Sequence, residues 1–542
     1  MGAAGAVPGS GSRLRQPPKL TSGMTWEPEV EELRRREELA RKMGGPERVQ
    51  RQKDAGRLTV RERIDLLLDP DSFEEWGALA GFSKYGSDSQ LEAFTPANNV
   101  MGSGRIEGRK IVVSGDDFTV RGGAADASIH GKQVFAERMA NELRLPIVRL
   151  VDGTGGGGSV KTLETLGRTY IPANPAWDLV VDNYAKIPVA AACLGPVAGL
   201  GAARVAHAHF SVMVKEVSQL FVAGPPVVKA GMGQDVTKEE LGGWEIHARE
   251  SGAVDNVVDT EAEALEQVRR FLSYLPSSAW EIPPRCQPAD DPKRRDDYLL
   301  SAIPRNRRQA YDMRRILAGI FDSGSVFEQA RHFGPSLITA LARLDGYPVA
   351  VLAADPRYYG GGLTAAASDK LARFVDFADT FHLPIVHLVD QPGFVVGVDA
   401  ERAGTIRRGV HALAALYQAT VPFVSVIVRR VFGVAGAGHG NAQKLNLRFA
   451  WPSGDWGSLP VEGGLEAAYR RELEASDDPG KLKAEISERL EAVRSPFRTA
   501  ESFGVEKLID PRDTRPLLTD WIADAYRLVA TDLGPKGRPA RP

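Results

Sequence analysis

The chain has 542 residues, enough for roughly two to four domains. Its 68 basic residues stand against 70 acidic ones, a formal net charge of −2, so it lacks the basic balance that nucleic-acid binding needs. Two cysteines and no run of about 18 apolar residues exclude a disulfide framework, a four-cysteine zinc site and a membrane span, and the expectation is a cytoplasmic enzyme.

Residues 1–23 are rich in Gly, Pro and Ser and lead to a second methionine, Met24; they read as a disordered leader outside the fold. Over residues 28–55, EVEELRRREELARKM carries a charged helical pattern with a solvated face. The most informative feature is a repeat. Residues 105–152 begin RIEGRKIVV and end LPIVRLVD, while residues 343–390 begin RLDGYPVAV and end LPIVHLVD, without a gap. In that register Asp117 meets Asp355, Gly122 and Gly123 meet Gly360 and Gly361, Lys132 meets Lys370 and Asp152 meets Asp390, each 238 positions on. A second correspondence joins KIPVAAACLGPVAGLGAA at 186–203 to TVPFVSVIVRRVFGVAGAG at 420–438. IVVSGDDFTV and VAVLAADPRYY predict strands; ADASIHGKQVFAERMANEL and TAAASDKLARFVDFADTF predict helices. Alternating strands and helices predict α/β units, and the Pro/Arg/Asp-rich segment 281–298 predicts a linker between domains at 24–290 and 291–542. Cys193, inside IPVAAACLGP, reads as a core filler.

The glycines fall where strands hand over to helices: GG at 122–123, GTGGGG at 153–158, GPVAGLG at 195–201, YGGG at 359–362, DQPGFVVG at 390–397 and FGVAGAGHG at 432–440. Without a Cβ, backbone N–H groups can approach a ligand, and the helix dipole behind them favours an anion. Two such turns in equivalent positions, Gly199-Leu200 and Val434-Ala435, predict a matched pair of oxyanion holes. GTGGGG fits G-x-G-x-x-G loosely, but the acidic residue expected about 20 positions on is missing, which argues against a dinucleotide site. G-x-S-x-G and H-E-x-x-H are absent. His439 stands beside the second hole; His207 and His209 lack further metal ligands and read as a polar helix face, and His382 and His387 as structural.

These turns, with the flanking RVQRQKDAGRLTVRERIDLLLDPDSFEEW at 48–76, DFTVRGG at 117–123, FVAGPPVVKAGMGQDVTKEELGG at 221–243, SDKLARFVDFADTFHLPIVHLVDQPGF at 368–394 and GTIRRGVHALAALYQATVPFVSVIVRR at 404–430, resemble the carboxyltransferase β subunits of biotin-dependent acyl-CoA carboxylases such as propionyl-CoA carboxylase, over nearly the whole chain. The resemblance implies a tandem pair of crotonase-like α/β domains. It also implies transfer of CO2 from carboxybiotin to the α-carbon of an acyl-CoA, with biotin rather than a side chain as the base and no metal in this chain. Biotin would arrive on a partner, the biotin carboxylase and carrier α subunit, because this chain has neither an M-K-M site nor a P-loop lysine. A homo-oligomer built from dimers, usually a hexamer, would complete the site, acyl-CoA docking on the first domain and biotin on the second domain of a neighbour.

By the same resemblance Gly199 and Leu200 serve the thioester oxygen and Val434 and Ala435 the biotin urea oxygen. Gly122, Gly123, Gly155, Gly156, Ala437 and His439 fall to the acyl-CoA, and Gly360, Gly361, Gly362 and Phe394 to biotin. A decarboxylase or transcarboxylase subunit, or a catalytically silent one, shares these motifs. The chain departs from the family pattern at GTGGGG, at Leu200 and at GVAGA, where Ala437 replaces an Asp that helps select short acyl chains; propionyl-CoA is therefore not implied as the substrate.

Overall fold

The computed structural model describes residues 25–124, 127–153, 155, 159–288, 290–441, 444–538 and 541; the leader expected at 1–23 lies outside them. The repeat persists at the level of dihedral angles. An antiparallel hairpin, Asn99–Ile106 with Arg109–Asp116, has its counterpart in Leu337–Leu344 with Tyr347–Ala354, with the same ends after the 238-residue offset. The connecting pairs are Glu107 and Gly108, φ 50° and 79°, and Asp345 and Gly346, φ 51° and 78°. Two successive left-handed residues match the twist of the flanking strands, which is why Gly takes the second position in both copies.

From each hairpin the chain runs through a helix, His130–Leu143 or Ala365–Thr380, into parallel strands. In the first sheet these are Ile147–Val151, Val189–Cys193, Phe210–Val214 and Asn256–Val258, added side by side after Arg109–Asp116, with Glu74–Trp76 at the far edge. In the second sheet Ile385–Gln391, Phe423–Phe432, Leu447–Ala450 and Lys507–Leu508 follow Tyr347–Ala354, with Phe327–Gln329 at the far edge and Asp455–Gly457 pairing the end of Phe423–Phe432. Strands such as VAAAC and FSVMV are buried at every position because helices cover both faces, as parallel sheets require.

The repeat-equivalent lysines have a common structural use. Lys132 Nζ donates to the Asn99 carbonyl at 2.6 Å and Lys370 Nζ to the Leu337 carbonyl at 2.7 Å, both at the first residue of a hairpin strand. Lys370 also reaches the Ala330 and Phe333 carbonyls at 2.7 and 3.0 Å. An aromatic layer joins the two sheets: Phe210 lies 5.0 Å from Phe271 and 5.4 Å from Phe327, and Phe271 lies 5.7 Å from Phe377.

Two sequence expectations change. The charged N-terminal pattern forms two helices, Glu27–Arg41 and Pro46–Asp54, rather than one. Between them Met43 and Gly45 take φ 52° and 93°, and a Cβ on Gly44 would lie 2.0 Å from the Thr119 carbonyl oxygen, so the chain must break to pass the 117–123 turn. The helix read over ADASIHGKQVFAERMANEL begins only at His130, after extended Ile129. Among the described residues no helix is long and apolar enough to cross a membrane.

Candidate active site

The parallel strands of each sheet end in glycine turns. In the first copy Arg121, Gly122 and Gly123 take φ 53°, 65° and 66°; in the second Tyr359, Gly360 and Gly361 take 49°, 62° and 88°. Three consecutive left-handed residues turn the chain sharply against the loop that leaves the next strand. A Cβ on Gly123 would lie 2.6 Å from the Asp152 carbonyl oxygen, and one on Gly361 3.0 Å from that of Asp390. Single parallel bridges, Ala124 with Gly155 and Leu363 with Phe394, hold the contacts. Gly155 in turn backs onto Ala198, whose carbonyl oxygen would lie 2.8 Å from an added Cβ. Gly156 lies outside the described residues.

Asp152 and Asp390, the last residues of the LVD repeats, anchor these loops and are fully buried. Asp152 accepts from Arg57 and, at 2.8 Å, from Arg63, which also holds Glu261. Asp390 accepts from Tyr311 at 2.9 Å, Arg429 at 2.9 Å and Arg430 at 2.6 Å. Burial alone would raise the Asp390 pKa, but the two guanidiniums outweigh it and hold the carboxyl below its usual range. Arg430 also donates to the Gly360 carbonyl at 2.5 Å and so fixes the second turn. The repeat register singled out both aspartates; nothing local in the sequence marked Arg57, Arg63 or Arg430 as their partners.

Two helix N-termini complete the arrangement. Gly199, φ 65°, precedes Leu200–Ala206, and Gly433, φ 61°, opens Gly433–Ala437. The matched left-handed glycines align Leu200 with Val434 and Gly201 with Ala435. Gly199 N–H donates to the Phe221 carbonyl at 3.2 Å, whereas the N–H groups of Leu200 and Gly201 bond no described residue. Of the expected first pair, Gly199-Leu200, the Gly199 N–H is thus taken up within the fold; Leu200 and Gly201 stand in register with Val434 and Ala435.

The other predicted residues divide by position. Ala437 is exposed at the end of its short helix. His439 is turned inward: its Nδ1 bonds the Gly436 carbonyl at 2.7 Å, and burial lowers its pKa, so it braces the turn from within. Gly361 and Gly362 donate their N–H groups inside the turn, to Tyr358 at 2.8 Å and Tyr359 at 3.0 Å. Phe394 packs on Gly409, where a Cβ would lie 2.4 Å from its ring. His209 is not on a polar helix face: it is buried, stacks 4.0 Å from the Tyr184 ring, accepts from Val189 N–H at 3.1 Å and donates to the Tyr184 carbonyl at 2.9 Å. Its neighbour His207 caps the helix and packs on the same tyrosine. The Cys193 thiol is fully buried and pushed up to about 12, so it is no nucleophile.

A cavity of about 710 Å³ opens onto Gly123, Gly155 and Leu200. Asp116, Glu137, Arg149 and Arg204 also line it. Burial pushes the Asp116 carboxyl up to about 6. Arg149 grips Glu137 in a bidentate pair at 2.8 and 3.0 Å. Sequence reasoning missed all four, because each is a single charge within an otherwise ordinary strand or helix.

A family model described as the carboxyl transferase domain matches residues 51–523. The chain is 37% identical over 520 residues to the carboxyltransferase subunit of propionyl-CoA carboxylase from Haloferax mediterranei, covering 93% of this chain and 97% of that one. It is 35% identical over 520 residues to the methylmalonyl-CoA carboxyltransferase 12S subunit of Propionibacterium freudenreichii subsp. shermanii, covering 95% and 96%. The solved hexamer of a transcarboxylase 12S, with methylmalonyl-coenzyme A and methylmalonic acid bound, superposes with a TM-score of 0.83 at 33% identity over 96% of this chain and 98% of that one. The chain belongs to the carboxyl transferase family, enzymes that move a carboxyl group between biotin and acyl-CoA on a tandem crotonase-like α/β fold.

Proposed function

We propose that this chain is the carboxyltransferase component of an acyl-CoA carboxylase, moving a carboxyl group from carboxybiotin to the α-carbon of an acyl-CoA. The observation that carries this reading is the repeat-equivalent pair of helix N-termini, each with two N–H groups behind a left-handed glycine. Leu200 and Gly201 face the cavity and serve the thioester oxygen; Val434 and Ala435 serve the biotin ureido oxygen. Such donors act where negative charge develops and are worth about 3–4 kcal/mol each in comparable sites. Biotin, carried by a biotin carboxylase and carrier partner, supplies the carboxyl group. Gly360 is held by Arg430, and Gly361, Gly362 and Phe394 shape the second turn, which suits a flat bicyclic ligand.

The chain works as a homo-oligomer, dimer-based and hexameric, in the cytoplasm. Exposed apolar residues beside both sites, Ile171 and Val222 in the first half and Val396 and Val434 in the second, support burial against another copy. In such a dimer Ala437 of one copy borders the acyl site of the next, with His439 bracing its turn, and Gly122, Gly123 and Gly155 bound it from the first half.

The test is incorporation of labelled bicarbonate into acid-stable product by the chain co-purified with its biotin partner, given ATP and a panel of acyl-CoA esters. Labelled product from any ester supports the reading; none, with CoA esters still bound, sinks it in favour of a silent subunit. A transcarboxylase is the second reading, favoured by the likeness to a methylmalonyl-CoA carboxyltransferase subunit. It predicts ATP-independent carboxyl transfer out of methylmalonyl-CoA.

A further inference from the structure

We propose that the 710 Å³ cavity takes an acyl chain that carries an oxygen function, and that the guanidinium of Arg204 receives that oxygen. This deepens the acyl-CoA reading above and rests on it.

The duplicated fold supplies an internal control. The same pocket exists in the second half, where it has shrunk to about 20 Å³. In the repeat registers Asp116 corresponds to Ala354, Gln133 to Leu371, Arg149 to His387 and Arg204 to Gly438, and all eight residues line their respective pockets. Glu137 corresponds to buried Val375. The second copy builds the same strands, helix and glycine turn with Ala, Leu, Val, His and Gly at these places, so the fold does not call for the charges. They are properties of the larger cavity.

Two of the four charges are spent. Glu137 is occupied by Arg149 and by Asn183, which donates to it at 2.9 Å, so neither Glu137 nor Arg149 has its charge to offer. Arg204 is different. Among the described residues it forms no ion pair; its Nε is buried with no hydrogen-bond partner, and its one side-chain hydrogen bond is a long 3.5 Å contact with the Pro175 carbonyl. Burial depresses its pKa, as expected of a guanidinium short of partners. Asp116 shares the cavity but does not bond it; its oxygens accept from Asp152 N–H at 3.3 Å and Asn99 at 3.5 Å.

A bare alkyl chain filling this space would strip water from a cation and leave its N–H groups unmade, a penalty of about 1–3 kcal/mol or more. An oxygen on the acyl chain removes that penalty by accepting from Arg204. Asp116 can accept from a hydroxyl, or in its protonated form donate to a carboxylate, so it reads which oxygen function is present.

The experiment uses the chain assembled with its biotin carboxylase and carrier partner, and three esters of equal chain length: butyryl-CoA, 3-hydroxybutyryl-CoA and succinyl-CoA. At least one oxygenated ester should exceed butyryl-CoA in kcat/KM by about tenfold or more, since a site built to bond an oxygen rejects the analogue without it. In Arg204→Gln that ratio should fall to within about threefold of unity, with Arg204→Lys in between. Asp116→Asn should favour succinyl-CoA over 3-hydroxybutyryl-CoA if the native oxygen is a hydroxyl's. Butyryl-CoA matching or beating both oxygenated esters, or a ratio untouched by Arg204→Gln, overturns the inference while leaving the carboxyltransferase reading intact. Carboxylation of none of the three overturns this inference; the reading above falls with it only if no ester of the wider panel is carboxylated. If Arg204→Gln does not fold, the three-ester comparison on the unaltered complex decides alone.

Discussion

The two halves share their backbone and differ in how their loops are anchored. In both, an aspartate closing an LVD strand is buried beneath a glycine turn. In the second half its cations, Arg429 and Arg430, come from the next strand of the same sheet. In the first half they are Arg57 and Arg63, from the segment that precedes the repeat, and Arg63 is tied as well to Glu261 on the Glu261–Ser273 helix. The second site is thus self-contained, while the first borrows its counter-charges from the N-terminal region. Duplication preserved the carboxylate, whose place is set by the end of a central strand, and left the source of positive charge free to change.

Removing either carboxylate gives the largest expected effect. Asp152→Ala leaves Arg57 without its buried partner and Arg63 with Glu261 alone, and Asp390→Ala takes the shared carboxylate from Arg429 and Arg430; each should cost about 3–5 kcal/mol in chemical denaturation. If the anchors are equivalent the two losses will agree within about 1 kcal/mol. A small loss for one would mean its arginines find other carboxylates. Next come the backbone donors. Proline is tolerated in the first turn of a helix but has no N–H. Leu200→Pro and Val434→Pro should each lower kcat by roughly 10²–10³ with little loss of folded protein. A drop in only one would break the symmetry of the two sites; an unchanged kcat in both would remove the N–H groups from the reaction.

How much of this was legible in the sequence follows from which interactions are local. The repeat, the glycine turns and the paired helix N-termini depend on periodic apolar residues and on glycines at fixed offsets, so the sequence carries them openly. The engagement of the Gly199 N–H was hidden because its acceptor, the Phe221 carbonyl, lies 22 positions away. His209 was misread for a similar reason: the aromatic neighbours that bury it come from the 177–184 helix and from the second half of the chain. The four charged residues of the cavity lie at ordinary spacings and become a group only when the sheet brings Asp116 and Arg149 side by side with two helices. Arg63 and Asp152, 89 positions apart, carry no mark of their pairing either.

The equivalent lysines sharpen the comparison further. Lys370 serves three carbonyls and Lys132 one. Lys370→Met should therefore cost about 3 kcal/mol and Lys132→Met about 1 kcal/mol, read from denaturation midpoints. Equal losses would imply that only the contact shared by both copies, to the first residue of the hairpin, bears on stability.

The last difference between the halves is one of pH, and it belongs to the cavity carboxyl of Asp116. Its counterpart Ala354 cannot ionise, so this pH dependence should be confined to the first half. Burial raises the Asp116 pKa to about 6, from an unfolded value near 4. As pH rises from about 4 to about 6, the unfolded chain releases this proton while the folded one keeps it, so stability falls across that window and is level above it. Asp116→Asn removes the term. The stability of the variant relative to the wild type should then grow from about pH 4 to about pH 6 and stay constant beyond. A difference that is flat, or that shrinks, over that range would mean that Asp116 is already ionised in the folded cavity, stabilised by Arg204 nearby.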